Sequence, residues 1–125
     1  METEQKPDLE LKALGGFIGT QQYYREMGTL YTDGVKYIME NGYSWLVTDA
    51  LAVIKFSRKL RAEPFLVVKL IVDLETSEAC LTIDDGGKGE PAKVLYRQKY
   101  GYTDAKRKEV NLYFVDNVLM LASEY

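Results

Sequence analysis

The chain has 125 residues, 46% of them hydrophobic and 28% charged, and its 16 Lys and Arg against 19 Asp and Glu leave a net charge of −3. That composition fits one soluble globular domain, residues 1–125, able to bury a core without disulfide or metal staples; it gives no overall basic footprint for nucleic acid. With no histidine and a single cysteine, Cys80, the chain excludes Ser-His and Cys-His nucleophilic mechanisms, Cys/His zinc sites and an internal disulfide. A catalyst built on it would rely on carboxylates, Lys, Tyr or Arg, so the expectation is a protein that is not an enzyme and needs no cofactor and no metal.

The first residues, METEQKPDLELK, are acidic and polar, so no signal peptide is expected and residues 1–7 read as a frayed tail. No apolar run is long enough to span a bilayer. The lone cysteine suits a reducing, cytoplasmic setting. Asp8 is a good N-cap for a short helix carrying Leu9, Leu11 and Leu14, which Gly15 and Gly16 would end. In the following FIGTQQYYREMGTLYTDG, Thr20 is placed to cap a second short helix with Tyr23, Tyr24 and Met27, stopped by Gly28.

Residues 31–42 admit two readings. In one, Thr32 or Asp33 caps a helix with Val35, Ile38 and Met39 inside, ended by Asn41 and Gly42. In the other, Asp33-Gly34 is a hairpin turn between LYT and VKY. The helix is preferred, because two three-residue strands bury little. From Tyr43 to Arg61, Leu46, Val47, Ala50, Leu51, Val53 and Ile54 recur at spacings of three and four, the mark of a helix with a wide apolar stripe. Ser44 is its N-cap candidate. Lys55, Arg58, Lys59 and Arg61 crowd its far end, where cations match the helix dipole and where a phosphate backbone or an acidic partner could also dock.

After Glu63-Pro64 the pattern changes to period two. Leu66, Val68, Leu70, Val72 and Leu74 form a core face, followed by Ala79, Leu81 and Ile83, then by Val94, Tyr96 and Tyr100 with basic residues opposite. Thr103–Glu109 reads as a charged turn or short helical segment. Val110, Leu112 and Phe114 mark another strand, and Asp116-Asn117 a tight turn into a last one, Val118 to Leu121. The expected fold is therefore α+β, with N-terminal helices packed on a four- or five-stranded antiparallel meander sheet.

IDDGGKGEP is not a phosphate loop, since it lacks the GxxxxG spacing and the following Ser or Thr, and its acids do not follow the alternation of a calcium loop. A glycine-rich connection accounts for it. The ten tyrosines are a stronger signal, five of them between Tyr23 and Tyr43. Tyrosine supplies rigid contact area with a polar tip and is enriched at interfaces. Gln22, Tyr23, Tyr24, Arg25, Tyr31, Asp33 and Trp45 form the candidate binding set; the bland alternative is rings straddling the edge of the core. A nucleic-acid alternative would use Lys55, Arg58, Lys59, Arg61, Arg97 and Lys99, the last two on an outer sheet face with Lys69, Lys93 and Tyr113. A third reading is a small-ligand pocket lined by Tyr23, Tyr24, Tyr37 and Trp45.

Together the segments GTQQYYR, LYTDGVKYIMENGYSWLVTDALA, LYRQKYGYTD and the terminal LMLASEY resemble an uncharacterised bacterial family known only as a domain of unknown function. The resemblance implies a small single-domain protein of a kind often carried by plasmids and phages, with no established catalytic or ligand residues. It marks Gln22 to Tyr24, Tyr31 to Val35, and Ser123 to Tyr125 as a shared site or as shared determinants of the fold. The functional expectation is a binding or interaction protein, an accessory factor of a mobile element. Its partner would be a host protein or a second copy of itself, with nucleic acid less favoured and no membrane.

Overall fold

FLVVKLIVD, apolar on both alternating faces for most of its length, becomes β3 (Phe65–Asp73), with a strand hydrogen-bonded along each of its edges. The computed structural model describes residues 23–26, 28–87 and 91–125. Around β3 lie β1 (Tyr23–Glu26), β2 (Thr29–Thr32), β4 (Glu78–Asp84), β5 (Val94–Tyr100), β6 (Glu109–Val115) and β7 (Val118–Leu121), in the order β1-β2-β7-β6-β3-β4-β5. Every pairing is antiparallel except β2 with β7, which is parallel. Between β2 and β3 the chain is helical: α1 (Asp33–Ile38), a π-helical turn (Met39–Tyr43), α2 (Ser44–Phe56) and α3 (Arg58–Arg61).

This corrects the expected fold class. The sheet is mixed and seven-stranded rather than a four- or five-stranded antiparallel meander, and among the described residues the helices follow two strands. Tyr23 and Tyr24 belong to β1, not to a helix, because YYRE and TLYT are rich in strand formers and Gly28, at φ 78°, turns one onto the other. The expected Thr20 cap, Met27, the Asp8 helix and the 1–7 tail lie outside the described residues. Nor is the order sequential. From β5 the chain crosses the ends of β4 and β3, held by Thr103 N–H donating to Ser77 O at 2.8 Å and Val72 N–H to Lys108 O at 2.8 Å, and enters β6 on the far side of β3. The crossover seats the apolar β3 centrally and leaves β5, with Arg97 and Lys99, at an edge where charge discourages further pairing.

The helical reading of 31–42 holds. The Thr32 hydroxyl accepts from Val35 N–H at 3.3 Å as N-cap, and Val35 and Ile38 are fully buried. Asn41 and Gly42 leave helical geometry, Gly42 at φ 102°, and so end that helix at a kink, as expected. Because α2 starts directly after this kink, Tyr43 takes the cap position with no side-chain bond, and Ser44 is the first residue of α2 instead of its cap. Leu46, Val47, Ala50, Leu51 and Ile54 then face Leu66, Val68, Leu70, Leu81, Ile83, Leu112 and Leu119 in one core. Each of these side chains except Ala50 contributes about 1.5–3 kcal/mol on burial. Leu74 lies past the end of β3 and is exposed. Residues 102–107 are irregular. Asp116 and Asn117, at φ 53° and 64°, make the expected tight turn.

Candidate functional site

Strand alternation divides the candidate tyrosines. Tyr24 and Tyr31 face the helices, their rings stacked at 5.4 Å and 25°. The Tyr24 hydroxyl donates to Asp33 Oδ1 at 3.2 Å, and Lys36 Nζ sits 4.7 Å from the Tyr24 ring centre and 3.8 Å from Glu40 Oε2. Loss of water and then the bond to Asp33 push the Tyr24 phenol above its ordinary value; for Tyr31 the causes are burial and then Glu26. Tyr23 and Arg25 point to the opposite face of the sheet, and Gln22 lies outside the described residues. Trp45 does not join them. It packs on Tyr100 of β5, five strand spacings from β2, or about 24 Å at roughly 4.8 Å per strand. The pocket once expected among Tyr23, Tyr24, Tyr37 and Trp45 is therefore split between two edges.

The basic set divides as well. Lys55, Arg58, Lys59 and Arg61 are exposed at the end of the helical block, beside Phe56, which is 80% exposed with Lys55 Nζ 5.7 Å from its ring centre. Arg97 and Lys99 lie on the other side of the sheet, on the face that no described helix covers. Register puts Arg97 in one row with Thr82 and Lys69, and Lys99 in the next with Cys80 and Ile71. Asp73, Glu78 and Glu109 stand at the ends of the same strands. Lower on this face Phe65, Tyr113 and Tyr125 form a triangle with ring centres 5.0–5.4 Å apart, next to Val67 and Met120. Gly86, at φ 78°, presses on Phe65 so closely that a Cβ would lie 2.6 Å from the ring.

At the β5 edge, Trp45, Asp49, Tyr100, Tyr102, Thr103 and Asp104 line a cleft of about 380 Å³. Trp45 Nε1–H donates to Gly42 O at 2.9 Å, fixing the indole, and Tyr100 meets it edge-on at 5.1 Å. The Tyr100 hydroxyl donates to Asp49 Oδ2 at 2.7 Å. Trp45 and Asp49 share a helical face at spacing four, which sequence could show; the aromatic and acidic residues of 100–104 come from another part of the chain and carry no local signal pairing them with it. Among the described residues no group of three His, Cys, Asp or Glu is placed to hold a metal ion, and no helix is long and apolar enough to cross a membrane.

A family model matches residues 8–125, which include every described strand and helix. The chain belongs to DUF6876, a family of unknown function. No curated protein and no solved structure matches it. Two of the segments that carried the resemblance to such a family meet in space. Glu124, from the terminal SEY, accepts from Thr32 Oγ1 at 2.5 Å, Gly34 N–H at 3.1 Å and Leu121 N–H at 2.9 Å. A Cβ on Gly34 would sit 2.6 Å from Leu121 Cδ1 and 2.7 Å from Glu124 Oε1, so YTDG and SEY form a fitted clasp. For Thr32, Gly34 and Glu124 the geometry is that of a fold determinant: it ties the last strand to the first helix. Tyr125, next to Glu124, reaches the open sheet face and is 72% exposed.

Proposed function

We propose that this DUF6876 protein is a non-enzymatic binding factor whose partner is another protein, seated on the open face of the sheet. The observation that carries the reading is the apolar content of that face. Phe65, Tyr113 and Tyr125 pack together there, and Ile71 and Val94 are 44% and 43% exposed on strands β3 and β5. Sheets with helices on one side usually present alternating polar residues to water on the other, and exposed apolar groups gathered on one face mark interaction sites, here the aromatic triangle and, beyond the Lys69–Asn111 row, Ile71. Lys69 and Arg97 in one row and Lys99 in the next suit acidic side chains at the partner's rim, where charge sets register and approach rate.

A protein partner fits better than a nucleic acid. Asp73, Glu78 and Glu109 border the cations on this face and would repel phosphates, while the other cation cluster, Lys55 to Arg61, lies on the helical side and cannot contribute to the same surface. A bacterial origin with a plasmid or phage as carrier, as the resemblance implies, and the reducing cytoplasm that the lone Cys80 suits are consistent with a small accessory factor aimed at a host protein; self-association through the same face is the nearest alternative.

The test is capture of partners from bacterial lysate by the intact protein and by Ile71→Asp, with and without nuclease, beside light scattering of the purified chain. A protein retained after nuclease and lost with Ile71→Asp supports the reading. Nuclease-sensitive capture with affinity falling steeply in salt would replace it with nucleic-acid binding, and a dimer disrupted by Ile71→Asp would make the partner a second copy. Turnover on a panel of hydrolase and transferase substrates would overturn the non-enzymatic part.

A further inference from the structure

We infer that the cleft between the start of α2 and the end of β5 binds an alkylammonium group, a site separate from the open sheet face. Its walls are aromatic. Trp45 is held by its bond to Gly42 O, Tyr100 stands edge-on to it at 5.1 Å, and Tyr102, 74% exposed, flanks the opening. An ammonium carbon skeleton meets such rings through their electron-rich faces, the interaction by which aromatic cages hold quaternary amines. The polar members of the lining are acidic or neutral: Asp49, Asp104 and Thr103, with no cation among them. Lys106 borders the neighbouring groove instead.

The two carboxylates have different roles. Asp49 accepts the Tyr100 hydroxyl at 2.7 Å, which locks the ring's orientation and keeps a negative charge beside it. Asp104 is exposed, and it makes no hydrogen bond or ion pair with a described side chain, so it is available to a cation entering the cleft. Burial, followed by the bond to Asp49, raises the Tyr100 phenol far above its ordinary value, so the ring stays neutral at any physiological pH. A volume of about 380 Å³ lies at the low end for ligand sites, which run from roughly 300 to 1,000 Å³. It suits a small amine or one long side chain.

The same chemistry has two sources, a free quaternary amine or a methylated lysine on another protein, and one experiment separates them. Trp45 is the only tryptophan in the chain, so its fluorescence reports the cleft without labels. The full protein is titrated with choline, with a short peptide carrying trimethyl-lysine, and with the neutral isostere of choline that has tert-butyl in place of trimethylammonium. The expected result is a saturable change with choline or with the peptide, at least about tenfold weaker for the isostere. It should be lost in Tyr102→Ala and weakened in Asp104→Asn. Both substituted residues are exposed, so neither variant endangers the fold. Response to choline alone makes the ligand a free amine, and response to the peptide alone makes it a partner's side chain. No saturable change with either cation, an equal response to the isostere, or unaltered binding in both variants would overturn the site.

Discussion

Thr32 and Glu124 lie 92 residues apart and share a 2.5 Å hydrogen bond that joins the N-cap of α1 to the end of the chain. The Glu124 carboxylate also takes the N–H groups of Gly34 and Leu121, so one side chain satisfies two backbone donors and orients the hydroxyl that caps the helix. Bonds to a charged acceptor each contribute about 1.5–3 kcal/mol, less where water competes. Glu124→Ala should therefore destabilise the fold by about 2–3 kcal/mol, read as a lower urea midpoint with an unchanged slope. In a double-mutant cycle with Thr32→Val the two losses should not add. Full additivity would mean that the two groups do not act together.

Gly34 is the steric half of the same clasp. An alanine there would place its Cβ within 2.7 Å of Leu121 and Glu124, and neither can yield freely, since Leu121 is buried and Glu124 is held by three donors. Gly34→Ala should cost about 1–3 kcal/mol, although alanine is the better helix former at an unconstrained position. A stability equal to or above that of the parent in thermal unfolding would show that the approach relaxes at no cost.

Alkaline pH tests the edge of β5. Tyr100 has its phenol raised above the ordinary 10.0, first by burial and then by Asp49, and Tyr24 and Tyr31 are raised too. A raised acid in the folded state means that the unfolded chain gives up its proton first. The stabilising contribution is complete below about pH 10 and is lost as pH rises beyond it. Stability should thus fall steeply above pH 10, and Tyr100→Phe should flatten that fall. At pH 7 the same variant should be less stable by about 0.5–1.5 kcal/mol for the lost bond to Asp49. An unaltered slope above pH 10 would remove Tyr100 from the account.

The sequence made strands β3 to β6 legible because each has seven residues or more, enough for inward apolar positions to recur with a period of two, as Leu66, Val68, Leu70 and Val72 do; the four-residue β7 was legible only through the Asp116-Asn117 turn before it. It made α2 legible through its wide apolar stripe. Strands β1 and β2 have four residues each, too few for a period to separate from a helical turn, and their tyrosines invited the helical reading. The place of β6 beside β3 was also hidden, because local pattern says nothing about which strand a crossover will reach. The same limit governed the sites. Trp45 and Asp49 stand in one helix, whereas Tyr100, Tyr102 and Asp104 reach them only through the sheet order. Glu124 sits in ASEY with no neighbouring pattern to announce its contact with Thr32.

Tyr125 separates binding from folding. Its ring meets Phe65 and Tyr113 edge-on at 5.4 Å each, yet it remains largely exposed, while its neighbour Glu124 carries the clasp. Aromatic pairs of this geometry contribute about 0.5–1.5 kcal/mol each, and a ring left largely in water sits at the low end for both, so Tyr125→Ala should lower stability by no more than about 1–1.5 kcal/mol. If the open face is the docking surface, the variant loses its central rigid ring and partner capture should fall at least about tenfold, since truncated aromatic anchors commonly cost 2 kcal/mol or more. Glu124→Ala should show the reverse: a marked loss of stability and, below its unfolding temperature, retained capture. A Tyr125→Ala protein that keeps its partner would move the interaction away from the aromatic triangle. The cations Lys69, Arg97 and Lys99 would then be the residues to substitute on that face.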